Sequence, residues 1–377
     1  MNILILSDQY LPSTRSSSIL IDDLIQELLK KKDKVTLITS TPESKKFSNK
    51  NKNLKIIRVN IFSWNKKNFV LKGINQIFLM AQVILILMKN NKKFDKAFIY
   101  CPPLFLGLIS LFIKDAKKIV NIQDFFPQNA VDLGILKNKL IIMFLRKIEK
   151  LVYTHNDFIL VNSPNSKKYL IQKYPELKKK IIFNYNWTKI KKTKTKKFEK
   201  NKIFKFVFGG SLGPAQNLER LLPIFKKLIG KCELHVYGDG ITKDKLKKEV
   251  IENDIENIKI YKTISNSKFI NKLQEYDSGL VVLNELNQTP FIPGKFNFYC
   301  SNGKNSTAIV HKQCDLNHII NKEKIGFATS NFNSVELYKF FKKILKLKNL
   351  KSYDLNAKKF AIKNLDVKNI ANKIHSI

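Results

Sequence analysis

The chain has 377 residues, with 69 Lys and Arg against 30 Asp and Glu, a formal charge of +39, and 44% hydrophobic residues. That length exceeds one compact core and that apolar fraction excludes a disordered chain, so two globular domains are expected. Cysteines at 101, 232, 300 and 314 show no paired spacing, which excludes a disulfide scaffold and a zinc ribbon and reads as reduced thiols in a cytosolic protein.

The positive charge has three candidate sources. A composition rich in Lys, Asn and Ile is what AT-rich coding produces. An anionic membrane surface or a lipid diphosphate would attract surface lysines, each contributing ~1 kcal/mol near such a membrane. Nucleic acid would also attract them, but no zinc knuckle, RNP-like run or basic heptad region accompanies the charge. The histidines at 155, 235, 311, 318 and 375 are scattered, so no metal site is expected.

Met1 to Leu6 is apolar but short, lacks a basic start and runs into Ser7 and Asp8; it reads as a buried first strand, not a signal peptide. A polar loop from Asp8 to Ser18 follows. Ile19 to Leu29 is helical, with Ile21, Leu24, Ile25 and Leu28 on one face. Val35 to Thr39 is the second strand. This β-α-β opening is doubly wound in character, and ligands in such sheets bind beyond the strand C-termini. The loop holding Arg15 and Ser16 sits at such an end, where hydroxyls and a cation can meet substrate anions; a solvated loop is the competing reading.

Residues 41–60 give a Lys/Asn-rich loop and a strand from Lys55 to Asn60. Phe69 to Met88 is the most apolar stretch and has the length of a membrane span, but Lys72, Asn75, Gln76 and Gln82 interrupt it. It reads as a half-buried helix of the first domain. Flanking Lys66, Lys67, Lys89, Lys92 and Lys93 suit an interfacial position. Phe94 to Tyr100 is a strand, and Pro102 and Pro103 open an apolar helix ending near Ile113. The strand Ile119 to Gln123 delivers Asp124 to its C-terminal end. A carboxylate there can take a proton from an acceptor hydroxyl or orient an acceptor; a turn or N-cap aspartate is the equal alternative. Lys137 to Leu151 is a basic amphipathic helix and a second candidate for membrane contact. Ile159 to Asn162 is a strand, Ser163 caps the helix that Pro164 opens, and Ile181 to Tyr185 is the last strand of the first half.

Residues 186–202 form a lysine-rich linker, since a run of like charge is usually solvated chain. Trp187 near its start is expected to pack against a domain. Alternation then resumes. Phe204, Phe206, Val207 and Phe208 make a strand, Gly209, Gly210 and Gly213 a turn, and Leu218, Leu221, Leu222 and Phe225 a helix spanning 217–229, with Asn217 as N-cap. Glycines let a ligand approach the backbone, and free N–H groups at a helix start favour anions. Further strands are expected at 232–237, 257–261, 278–283 and 307–311. Helices are expected at 242–252, 266–275, 294–302, near 334–347 and near 355–374.

Four segments in order resemble one family. Residues 208–222 (FGGSLGPAQNLERLL) resemble the turn opening the C-terminal domain of GT-B glycosyltransferases of the family 4 type, in the bacterial surface-polysaccharide branch. Residues 237–240 (YGDG) resemble that family's next strand end, and 289–296 (TPFIPGKF) its donor-site segment. Residues 124–134 (DFFPQNAVDLG) resemble a segment that faces the inter-domain cleft. The resemblance covers nearly the whole chain. It implies an α/β fold of two Rossmann-like doubly wound domains facing across a cleft. The first domain would span 1–185 and carry the acceptor, and the second 203–354 and bind the nucleotide sugar. A C-terminal helix over 355–377 would cross back to the first.

It also implies roles. Gly209, Gly210, Gln216, Gly238, Gly240, Pro293, Gly294 and Lys295 would bind the donor, Asp124 would act in catalysis, and Arg15 and Ser16 would lie on the acceptor side. The nucleotide sugar is a co-substrate, and no metal or other cofactor is implied. The donor is expected to be a UDP-linked N-acetylated amino or deoxy sugar. The acceptor is expected to be a lipid-linked saccharide of O-antigen or capsule assembly, at the cytoplasmic face of an anionic inner membrane. Departures exist. The Glu-x7-Glu pair of many family members falls on Pro290 and Phe298, and the usual Gly-Lys-Pro is Gly303, Lys304 and Asn305, in which Lys304 reads as a loop lysine. A non-catalytic membrane- or nucleic-acid-binding protein on the same fold is the reading of a different class.

Overall fold

The computed structural model describes residues 1–13, 15–40, 51–60, 69–89, 93–190, 203–347 and 349–377. Thr14, the 41–50 part of the loop expected at 41–60, Lys66, Lys67, Lys92 and the 191–202 part of the expected linker lie outside the described residues. The chain forms two compact units, Met1–Trp187 with Val367–Ile377, and Thr188–Asp366.

Unit 1 is built on seven parallel strands: β1 (Asn2–Leu6), β2 (Lys34–Ser40), β3 (Leu54–Val59), β4 (Lys96–Cys101), β5 (Lys117–Ile122), β6 (Phe158–Val161) and β7 (Ile181–Phe183). They lie in the order β3-β2-β1-β4-β5-β6-β7. Ile3, Leu4, Ile5 and Leu6 are all buried, as expected of a parallel strand covered on both faces. On one face the helix Ser16–Lys30 presents Ile21, Leu24, Ile25 and Leu28 to the core. On the other lie the helix Phe69–Met88, the 3-10 stretch Leu104–Phe112 and the helix Lys139–His155. The proline-led segment therefore winds more tightly than the expected α-helix. Trp187 is buried in unit 1, donating its indole N–H to the Leu20 carbonyl at 2.7 Å and meeting Phe98 edge-on.

Unit 2 has six parallel strands: β8 (Phe204–Ser211), β9 (Cys232–Asp239), β10 (Ile258–Tyr261), β11 (Ser278–Val282), β12 (Ser306–Ile309) and β13 (Gly326–Thr329). Their order is β10-β9-β8-β11-β12-β13. β13 was absent from the sequence expectation; its four residues are too few to show a period. The helix expected at 217–229 is a 3-10 turn, Leu218–Leu221, followed by a short α-helix, Leu222–Lys226. Pro223 explains the break, because it lacks an N–H and sits in the first turn of the new helix. Asn217 is not a side-chain cap but adopts a left-handed φ of 49°.

The single helix expected over 355–374 is two, Lys351–Asn364 and Val367–Ser376. Between them Asp366 forms an isolated parallel bridge with Thr188, which donates its N–H to the Leu365 carbonyl at 2.7 Å. Only Val367–Ile377 joins unit 1, not all of 355–377. There Ile370, Ala371 and Ile374 pack into the same core as the helix Ser16–Lys30. Lys96 holds the carbonyls of Ile374 and His375, and His375 pairs with Asp33.

Candidate active site

In unit 2 the switch in strand order falls between β8 and β11, and the glycine turn follows β8. Helix Gly294–Ser301 lies across that strand end. Its Pro293 is the N-cap, with φ −60°, so Gly294 and Lys295 form the first turn. Lys295 and Tyr299, one turn apart, share a face. The Tyr299 hydroxyl accepts the Gly209 N–H at 3.1 Å and donates to the Val207 carbonyl at 3.2 Å. Lys295 lays its ammonium over the Phe208 ring, 3.5 Å from the centroid. That ammonium is sealed from solvent and has no hydrogen-bond partner among the described residues. Burial alone lowers its pKa from 10.5 to about 7.

The expected donor glycines do different things here. The Gly209 N–H is already taken by Tyr299, and a Cβ on Gly209 would lie 2.6 Å from the Phe269 ring. Gly209 is thus held by close packing, with its own N–H engaged by the protein. Gly210, at φ 118°, has open space where a Cβ would stand, as does Gly294. Gly238 pairs with Gly210 across the strands, and its Cβ would strike the Gly210 carbonyl at 2.4 Å. Gly240, at φ 151°, touches the Leu212 backbone so closely that a Cβ would come within 1.9 Å of its carbonyl oxygen. Gln216 donates its N–H to the Gly213 carbonyl and closes the turn. Phe298, set where the resemblance would place a Glu, packs on Phe269 at 5.7 Å.

Lys304 does lie in the loop between helix Gly294–Ser301 and β12, but it is not a dispensable loop lysine. It is 2% exposed, donates to the Tyr276 carbonyl at 2.9 Å and pairs with Asp354 at 3.4 Å. It is part of the frame of unit 2.

Unit 1 has its own switch point, between β1 and β4. Asp8 follows β1, Tyr100 is in β4, and Asp124 follows β5, the strand beside β4. Asp124 caps nothing: the short helix Gln128–Asp132 starts at Pro127, and no side chain among the described residues donates to the Asp124 carboxylate. Burial raises its pKa from 3.8 to about 6. Asp8 is raised to about 6 as well, by burial, against a lowering pull from Arg15. Arg15 and Ser16 are exposed at the start of helix Ser16–Lys30, with Arg15 as its N-cap residue. Sequence reasoning missed Tyr299, Phe208, Asp8 and Tyr100 as site residues. Tyr299 was findable, four residues after Lys295 in an expected helix.

No family model matches the chain. Over its whole length it superposes on sucrose-phosphate synthase from Thermosynechococcus elongatus, with a TM-score of 0.78, 11% identity and 97% of that chain covered. The chain has the GT-B fold. Anabaena HepE in complex with UDP-glucose matches with a TM-score of 0.73 and 14% identity, covering 100% of this chain and 98% of that one. In sequence, the probable glycosyltransferase WbjE of Pseudomonas aeruginosa is 22% identical over 299 residues, 75% of this chain and 74% of that protein.

Proposed function

We propose that the chain is a glycosyltransferase that moves a sugar from a UDP-linked donor to a lipid-linked saccharide in the assembly of a bacterial surface polysaccharide. The buried, unpaired ammonium of Lys295 beside the glycine turn carries this reading. A cation stripped of water and given no anion by the described residues is costly, and a donor diphosphate is the anion that would repay it. The GT-B fold, the similarity to WbjE and the UDP-glucose complex of HepE support the same chemistry.

In the reaction the bond between the sugar C1 and the diphosphate oxygen breaks and one from C1 to an acceptor oxygen forms. Lys295 and the Gly294 helix start stabilise the charge left on the diphosphate. Asp124 receives or orients the acceptor hydroxyl proton. The donor is read as an N-acetylated amino or deoxy sugar, and the nucleotide sugar is a co-substrate, not a resident cofactor. The basic, apolar helix Lys139–His155 supports work at an anionic membrane, on the cytoplasmic face. No helix among the described residues is long and apolar enough to cross one. Incubation with a panel of UDP- and GDP-sugars tests the proposal: release of UDP from at least one UDP-sugar is expected, and no release from any would overturn it.

A further inference from the structure

We infer that Asp8, Tyr100 and Asp124 together grip a neutral sugar terminus by its adjacent hydroxyls and turn away one bearing a carboxylate or phosphate. This rests on the glycosyl-transfer reading and assigns the chemistry of the acceptor within it.

The first observation is the pairing of carboxylates in unit 1. Glu149 accepts from Lys173, Tyr153 and Tyr174. Asp33 accepts from the Met1 amine and faces His375. Asp157 accepts the Lys118 N–H and Asp22 the Tyr10 hydroxyl. Asp8 and Asp124 are also partly buried, yet no other residue described in the structure donates to either carboxylate. Burial raises both toward neutrality, in Asp8 against the pull of Arg15 and of its own backbone N–H.

The second observation is independent of the two acids. Tyr100 is only 5% exposed, and its hydroxyl has no hydrogen-bond partner among the described residues. The ring is buried while the hydroxyl, which is not among the sealed polar atoms, is left open to meet a ligand. The phenol lies within electrostatic reach of both Asp124 and Asp8, whose charges act on it together. β4 runs between β1 and β5, so the tyrosine stands between the two acids at the strand ends. Two carboxylates and a phenol thus stand at the switch point with no side-chain hydrogen-bond partner among the described residues, open to a ligand.

The ligand that satisfies them must bring several O–H donors close together. Neighbouring sugar hydroxyls do so. An acidic sugar brings a negative charge toward two carboxylates, with the exposed Arg15 as the one cation acting on Asp8. Two acids outweigh one solvated cation, so an anionic terminus is disfavoured.

The test uses the full chain and ligand-observed saturation-transfer NMR titrations. The probes are the methyl glycosides of glucose and galactose, with the matching methyl glucuronide and galacturonide. At least one neutral glycoside should bind, about ten-fold or more tighter than its acidic counterpart, as expected of a hydrogen-bonded charged group. Asp8→Asn should weaken neutral binding and narrow that ratio, and Tyr100→Phe should weaken neutral binding in a chain that melts no lower. A residue with a merely structural role would move both probes alike and leave the ratio fixed. Equal or tighter binding of the acidic glycosides, or a ratio and affinity unchanged in both variants, would overturn the inference. So would the absence of glycoside binding in a chain that still releases UDP from a UDP-sugar, and glycosyl transfer would then stand without it.

Discussion

The Lys295 ammonium rests 3.5 Å from the centre of the Phe208 ring, buried and without a hydrogen-bond partner among the described residues. A ring face offers a cation about 2 kcal/mol when both are desolvated, far less than the hydration it gives up. The pKa near 7 records that deficit. An arriving diphosphate favours the charged form and lifts the value back, so binding takes up a proton. UDP affinity should therefore fall as pH rises above about 7, by up to about ten-fold per pH unit. Calorimetry in buffers of different ionisation enthalpy reads the proton directly. A Lys295→Met chain should lose that uptake; uptake unchanged in Lys295→Met would refute the assignment.

Lys304 is expected to act on stability. Removing it leaves Asp354 without its ion-pair partner and the Tyr276 carbonyl without a donor, at a cost of about 3 kcal/mol. Thermal unfolding of Lys304→Ala should show unit 2 melting several degrees lower. A melting curve like that of the wild type would show that the pair contributes nothing.

Asp124→Asn should separate stability from turnover. A carboxyl held near 6 and ordinarily at 3.8 makes unit 1 more stable as pH falls through 6, with the gain complete below 3.8 and lost again as pH rises through 6. At neutral pH the ionised form costs the fold about 2–3 kcal/mol. The neutral amide should thus raise the unit 1 melting temperature at pH 7.5 while transfer to acceptor drops. The stability gain should vanish at pH 3.5. A variant that melts lower at pH 7.5 would mean that the carboxylate has partners in the fold.

The helix Lys139–His155 exposes Leu140 (71%) and Phe144 (59%) near its start, among Lys139, Arg146 and Lys147. Apolar side chains in the interface with lysines at the headgroups predict binding to anionic vesicles that weakens with salt. In flotation, Leu140→Glu with Phe144→Glu should release the chain from phosphatidylglycerol vesicles. Binding to neutral vesicles of equal strength would remove the electrostatic part.

Much of this was legible in the sequence. Strands such as Ile3–Leu6 announce themselves as apolar runs, and Ser163 does cap its helix, accepting the Ser166 N–H. The Pro-Gly-Lys run at 293–295 marked a helix start, and the structure puts Lys295 in that first turn. What sequence could not carry is pairing at a distance. The burial of Lys304 depends on an aspartate 50 residues away. Asp8, Tyr100 and Asp124 come together only through the strand order of unit 1, which no local period encodes. The Gly209 N–H looked free because its Tyr299 partner lies 90 residues on.

The most direct test of the account is donor turnover by Lys295→Ala beside an exposed-lysine control, Lys268→Ala. UDP release from the UDP-sugar that the wild type uses best is followed in both. Loss of one buried charge contact to a leaving diphosphate costs about 2–4 kcal/mol, by analogy with removing an oxyanion donor, which is roughly 30- to 1,000-fold in rate. Lys295→Ala should fall by that factor with its fold intact, and Lys268→Ala should match the wild type. Equal turnover by the two variants at the wild-type rate would contradict the donor site proposed here.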